Sequence, residues 1–421
     1  MSYLNGCNTT SGYFAGAESA VPNGDMGQNP LYYFDNNATT RVAPEVIEAM
    51  LPFLHEHWGN PSSAYGFSKY VAQRLDFARE QVAGLINADP KEVVFTSCGT
   101  EGNNTAIHSA LALQPTKRHI IMTAVEHSAN LNYGEFLQRQ GYVVTYMPVE
   151  SDGSIDIHLL EKRIRPDTAI VSVMWANNET GVIFPIEELA AICSSRGVLF
   201  HTDAVQTPGK LKIDVKALGV DFLSLSAHKV HAPKGVGMLY VKRRTRFQPY
   251  LIGGHQERGR RGGTENVPYI IGFGRAAELA VKHLQEENSR VRALRDKLEN
   301  TILAKIPGVS RNGAREPRLP NTANISFHFV ESEAVLLMLD QLGICASSGS
   351  ACTTGSVEPS HVLTAMGIPP VRARGSVRFS LGIYNTEAEV DYLLHQLPGI
   401  IERLRAISPL EPKHLRHLSK T

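Results

Sequence analysis

The chain has no Cys-x-x-Cys pair and no Cys/His cluster at zinc spacing, and its five cysteines (Cys7, Cys98, Cys193, Cys345 and Cys352) are an odd number. That excludes a disulfide framework and a structural zinc site, and it predicts reduced thiols. No lysine or arginine precedes Arg41, so the N-terminus lacks the charged segment of a secretory signal and the arginines of an organelle transit peptide. No apolar run approaches the roughly 18 residues of a membrane span. Net charge is nearly absent too: 42 Lys and Arg against 41 Asp and Glu leave +1, which argues against a coat for nucleic acid or an anionic membrane. These absences predict a soluble cytoplasmic protein with neither nucleic-acid nor membrane partners, in which any anionic ligand is held locally.

What is present is an ordinary globular composition, 43% hydrophobic and 20% charged over 421 residues, long enough for two or three domains. Residues 1–30 are rich in Ser, Gly, Asn and Ala and read as a flexible tail. From 42 to 285, helix-length amphipathic segments alternate with short apolar runs: EVVFT, HIIMTAV, YVVTYMPV, AIVSVMWA, VLFHTD, FLSLSAH and VGMLYVK. Alternation of this kind predicts an α/β domain around a mostly parallel sheet. A charged helix expected over about 275–305 leads into a smaller α+β domain containing ANISFHFV, SVRFSL and a last helix over about 386–406, followed by a basic tail at 409–421.

In an open parallel sheet, ligands bind beyond the carboxyl ends of the strands, so polar residues directly after apolar strands are the candidates. Four places qualify: Glu126 and His127; Asn177 to Gly181, with Asn178 and Glu179; Asp203 to Gln206; and Lys229. A semi-buried lysine at a strand end has a lowered pKa and can form a Schiff base. Asp203, on the preceding strand, needs a cationic partner, and a protonated pyridine nitrogen meets that need. Either residue alone reads as ordinary, a snorkelling lysine or a helix-capping aspartate. On successive strands they point together to pyridoxal phosphate.

EVVFT followed by SCGTEGNN is a strand, a small-residue turn and a helix start, which suits a phosphate on backbone amides near Gly99 and Thr100 but is also a common capping pattern. GGHQERGRRGGTEN (253–266) sets three arginines among glycines and suits a phosphate or an interface; near-neutral overall charge weighs against an RNA-binding patch. Gly272-x-Gly274-x-x-Ala277 lies inside a helical pattern and reads as helix packing. Cys352, in the small-residue run ASSGSACTTGS, is expected on an exposed, mobile loop, where reactive thiols belong. Cys193 and Cys345 read as buried small hydrophobes, whereas Cys98, beside the phosphate turn, stays open between the two readings. Arg378, a lone charge in SVRFSL, needs an anion, either a substrate carboxylate or a structural Asp or Glu.

Taken in order, DNNATT (35–40), TSCGTEGNN (96–104), VEH (125–127), ANNETG (176–181), HTDAVQ (201–206), SAHK (226–229), RRGGT (260–264), SSGSAC (347–352) and EPSH (358–361) closely resemble the motifs of the cysteine desulfurases. These are pyridoxal-phosphate enzymes of the aspartate-aminotransferase fold, fold type I. The likeness runs from about residue 32 to 408, and MWANNETG, KVHAPKGVG and GHQERGRRGGTEN look most like the branch that serves nitrogenase maturation. The resemblance implies a large domain with a seven-stranded, mostly parallel sheet, and a small domain of residues 31–41 and 286–408. It makes Lys229 the Schiff-base lysine, pairs Asp203 with the pyridine nitrogen, sets Gln206 on the phenolic oxygen and stacks His127 on the ring. Gly99, Thr100, Ser226 and His228 become phosphate ligands, joined by Thr264 from the second subunit of a homodimer. Asn178 would bond the cofactor or substrate near the phenolic oxygen, Arg378 and Asn37 would hold the substrate L-cysteine, and Cys352 would be the nucleophile that takes its sulfur as a persulfide and hands it to an iron-sulfur scaffold protein. No metal is implied. Ala227, where the family often has Gly, and the N-terminal extension depart from the pattern. A transaminase or selenocysteine lyase of the same fold would keep Lys229 and Asp203 without an essential use for Cys352.

Overall fold

The computed structural model describes residues 30–348 and 359–409. Residues 1–29, 349–358 and 410–421 lie outside the described residues, and with them Cys352 and nearly all of the two expected tails. No helix among the described residues is long and apolar enough to cross a membrane.

Thirteen strands are described. β1 (Tyr32–Tyr33) is followed by β2 (Val93–Thr96), β3 (His119–Thr123), β4 (Val143–Met147), β5 (Thr168–Ser172), β6 (Leu199–Asp203), β7 (Phe222–Ser226) and β8 (Gly237–Val241). β2 to β8 form one seven-stranded sheet in the order β2-β8-β7-β6-β5-β3-β4, in which only β8 runs against its neighbours. Alternate residues of each strand feed opposite faces: Ile120, Ile170 and Phe222 pack in one apolar cluster, while Ile121, Val171 and Leu223 pack in the other. Helices therefore cover both faces, which is why most of the strands are rich in apolar residues on both faces, with their polar residues buried too.

The remaining strands are β9 (Val309–Arg311), β10 (Thr322–Phe327), β11 (Ile344–Cys345), β12 (Ser347–Ser348) and β13 (Ser376–Ser380). β12-β13-β10-β9 make an antiparallel sheet packed on the helices Arg292–Lys305, Ser332–Asp340 and Glu387–Ile407 through a separate apolar cluster that includes Leu298, Ile325, Val335, Phe379 and Leu397. Phe34 belongs to this cluster, and β1 pairs in parallel with β11, so the first described residues sit with the last part of the chain.

The helix expected over about 275–305 differs from what is observed. Val267–Glu286 and Arg292–Lys305 are separate α-helices joined by a π-helical turn at Glu287–Val291. The first begins early because Pro268 suits a first turn, and its glycines let it pack closely: a Cβ on Gly272 would stand 2.6 Å from Met50 Sδ, and one on Gly274 2.8 Å from Ala78 Cα.

One buried ion pair locks the edge of the large sheet to the arginine-rich loop. Both Arg79 guanidinium arms reach the Glu257 carboxylate at 2.7 Å, Arg79 Nη1 also donates to the Val93 carbonyl, and Phe95 N donates to Glu257 Oε2. Arg79→Met strands the Glu257 charge in the interior. Chemical denaturation is expected to show a loss of about 3–5 kcal/mol, and a loss near zero would mean that water reaches the pair.

Candidate active site

Lys229 ends a 3-10 turn, Ala227–Lys229, that directly follows β7. Its Nζ donates to the carbonyls of Asn37, at 2.5 Å, and Ala38, at 2.7 Å. Those carbonyls are delivered by the segment after Asp35, which bridges to Ser380 of β13. Burial, together with the charges of Arg378 and Lys210, pushes the Lys229 amine down to about 7, against the opposing pull of Asp35 and Asp203. A large part of this amine is therefore neutral near pH 7, as a nucleophile or proton acceptor must be.

Asp203, the last residue of β6, is buried; Asn103 Nδ2 donates to its Oδ2 at 2.6 Å and Val205 N to its Oδ1 at 3.0 Å. Gln206 Nε2 donates to the same Asn37 carbonyl that Lys229 uses, while Gln206 Oε1 is buried with no partner among the described residues. His127 caps the helix Ser128–Arg139, its Nδ1 accepting from Ala129 N at 3.1 Å, so the neutral ring carries its proton on Nε2. Burial and the charges of Lys229 and His361 lower the pKa of His127, although Asp203 pulls it up.

The turn after β2 leads into the helix Gly99–Ala112, whose N-terminus has no side-chain cap. Its first amides are thus open to an anion. Gly99 is required there: a Cβ would stand 2.7 Å from Val205 Cγ2. Thr100 is exposed and shares a cavity with His127; Ser226 is buried at the end of β7. His228 Nδ1 meets Thr39 Oγ1 at 3.1 Å, and burial with the Lys229 and Lys234 charges pushes its pKa down to about 4. Thr264 is exposed, just beyond Arg261, which grips Glu101 of the same helix start through two contacts of 3.0 and 3.2 Å.

On the small-sheet side, Arg378 Nη2 donates to Asp35 Oδ1 at 2.7 Å and Nη1 to the Asn178 carbonyl at 3.0 Å, while its Nε is buried without a partner among the described residues. Of the two anions open to Arg378 in the sequence, the structural aspartate is thus present, as Asp35. Asn37 offers Lys229 its carbonyl, not its side chain, which is tied to Asn178, Thr322 and Asn321.

Lys229, Asp203, Gln206 and His127 are brought together, with Arg378 and Asn178 adjoining them. Asn103, Asp35 and the Arg261–Glu101 pair are the additions that sequence reasoning missed. All of them lie inside quoted motifs, so a search for what holds Asp203, Arg378 and the phosphate turn could have found them. Cys193 is buried, and burial pushes its thiol up to about 12. Cys345 differs from the expected full burial: it is half-buried in a two-residue edge strand, and burial raises its pKa. Cys98 is half-buried at the helix N-cap.

These residues fit pyridoxal phosphate. A lysine amine with a lowered pKa, a buried carboxylate, an orphaned buried Gln206 oxygen and an uncapped helix start match its aldehyde, ring nitrogen, phenolic oxygen and phosphate. A family model described as aminotransferase class-V matches residues 32–393. A cysteine desulfurase of Nostoc sp. is 55% identical over 381 residues, covering 90% of this chain and 95% of that protein. The cysteine desulfurase NifS of Azotobacter vinelandii is 53% identical over 378 residues, covering 90% and 94%. Among solved structures, a NifS-like protein superposes with a TM-score of 0.84 at 40% identity, covering 89% of this chain and all of that one. SspA in complex with cysteine superposes at 0.75 with 37% identity, covering 84% and 100%. The chain belongs to the aminotransferase class-V family, among its cysteine desulfurases.

Proposed function

We propose that this protein takes sulfur from L-cysteine, releases L-alanine, and carries the sulfur as a persulfide on Cys352 to an iron-sulfur scaffold protein, in the service of nitrogenase metallocluster assembly. The observation that carries the reading is the convergence of Lys229, Asp203, Gln206 and His127 at the carboxyl ends of neighbouring strands. When bound, pyridoxal phosphate supplies an electron sink that weakens the substrate Cα–H and Cβ–S bonds. Lys229 would hold the cofactor through its amine, and its free Nζ would take the substrate Cα proton. Asp203, steadied by Asn103, would pair with the ring nitrogen and keep it protonated. Arg378 orients the substrate carboxylate, its Nε, which has no partner among the described residues, supplying a donor. The Cys352 thiolate attacks the substrate sulfur: an S–S bond forms, the Cβ–S bond breaks, and its electron pair stays on the carbon that becomes the alanine methyl after protonation.

A homodimer is supported by exposed apolar side chains such as Leu54, Trp58, Tyr65 and Tyr70, with Ile252 near the arginine-rich loop; Trp58 is 72% and Ile252 82% exposed. In it, Thr264 would reach the phosphate of the other subunit. Cys98, Cys193 and Cys345 form no disulfide, which favours a reducing compartment such as the cytoplasm.

The test is the absorption spectrum of purified protein before and after L-cysteine, with sulfide and alanine assayed together. A Schiff-base band that shifts, with sulfide and alanine in equal amounts, supports the reading; a band without sulfide favours a transaminase. Capture of pyridoxal phosphate by cofactor-free protein needs the neutral Lys229 amine. Its rate is therefore expected to rise with pH through about 7 and then level off, as stopped-flow absorbance would record. A rate still climbing in the ordinary lysine range contradicts the lowered pKa.

A further inference from the structure

Asn177 lies just beyond the end of β5 and is buried. Both ends of its side chain bond to neighbouring chain segments. Nδ2 donates to the carbonyl of Val125, two residues before His127, at 3.2 Å. Oδ1 accepts from Glu179 N at 3.0 Å, Thr180 N at 2.9 Å and Thr180 Oγ1 at 3.1 Å. An asparagine oxygen that takes the amides two and three residues on closes a tight turn.

Backbone bonds close the same turn: Gly181 N donates to the Asn177 carbonyl and Asn177 N to the Val182 carbonyl, both at 2.9 Å. Gly181 sits at φ +77°, where a Cβ would stand 2.9 Å from Thr322 Cβ, and Asn324 Nδ2 of β10 holds the Glu179 carbonyl at 3.1 Å. Shaped in this way, the turn presents the carbonyl of Asn178, which accepts from Arg378 Nη1 at 3.0 Å and Asn37 Nδ2 at 3.1 Å. Arg378 therefore has two anchors, Asp35 on one arm and the Asn178 carbonyl on the other. A guanidinium is planar, so two anchors fix the plane and with it the direction of Nε, whereas one anchor leaves the plane free to turn.

We propose that Asn177 is a positioning residue for the substrate carboxylate: by stapling the turn it holds the Asn178 carbonyl against Arg378, and through Arg378 it sets the affinity for an amino acid. The proposal rests on the reading of Arg378 as the carboxylate-binding residue. The bond to Val125 adds a second function, because it ties the turn to the strand end that leads to His127. One buried side chain thus keeps the carboxylate side of the site in register with the side that carries the ring-stacking histidine.

The test titrates holoenzyme with L-alanine and with ethylamine, two amines that differ only by the carboxylate, and reads the affinity of each from the cofactor absorbance. Asn177→Ala is expected to weaken L-alanine about 10- to 100-fold and ethylamine by less than about threefold. Asn177→Ser, whose hydroxyl closes the turn less well, should fall between Asn177→Ala and the unmodified protein for L-alanine. Because Asn177 acts through Arg378, adding Asn177→Ala to Arg378→Gln should cost no further L-alanine affinity. Equal weakening of both amines overturns the proposal, since a merely structural role would move them together. So does L-alanine affinity unchanged in Asn177→Ala, or a further loss in the double variant. Should Asn177→Ala fail to fold, Asn177→Ser decides by the same comparison. L-alanine binding unchanged in Arg378→Gln would remove the reading of Arg378 and this proposal with it; binding weakened in Arg378→Gln but not in Asn177→Ala would remove the role of Asn177 only.

Discussion

Replacing Lys229 with alanine is expected to lower cysteine turnover about ten-thousand-fold or more, because one amine is lost from two tasks, holding the cofactor and moving the Cα proton. Lys210 is also buried and lies close enough to depress Lys229 electrostatically, but no hydrogen bond ties it to the Asn37 and Ala38 carbonyls that aim Lys229. Lys229→Arg should be equally inactive, since a guanidinium stays protonated and cannot accept the proton. Cofactor content, measured after denaturation, separates loss of chemistry from loss of binding. Turnover within tenfold of the unmodified protein would remove Lys229 from the mechanism.

Cys352→Ala is expected to cut sulfide release to below about one thousandth while leaving the cysteine-driven absorbance change in place. No other thiol among the described residues can substitute. Cys193 is buried with its thiol pushed up to about 12, and burial also raises that of Cys345, so both stay protonated. Cys98 occupies the N-cap position of the helix whose start is assigned to the phosphate, and its Sγ accepts from Ser97 Oγ at 3.6 Å. Full sulfide release by Cys352→Ala would point to a lyase that needs no enzyme thiol.

Local signals made much of this legible in the sequence. Short apolar-rich runs such as HIIMTAV and AIVSVMWA mark the strands of a sheet buried on both faces, and the rule that ligands sit beyond strand ends leads to His127, Asp203 and Lys229. The hidden parts are contacts between residues far apart in the chain. Arg378 showed that it needed an anion, but Asp35, its partner at 2.7 Å, lies at the other end of the chain. Arg79–Glu257 and Ser360–Glu179 are likewise bonds that exist only once helices and sheet have packed. Helix boundaries were blurred for a different reason: VPYIIGFG is apolar on all sides because it is buried against two other helices, so it carries no amphipathic period to mark its start.

The central claim is that sulfur passes from L-cysteine to Cys352. The most direct measurement is peptide mass analysis of the protein after L-cysteine is added without reductant, with alanine measured in the same sample. One extra sulfur atom on the peptide containing Cys352, in proportion to the alanine formed, is the predicted result. Alanine and free sulfide appearing while that peptide remains unmodified would contradict it.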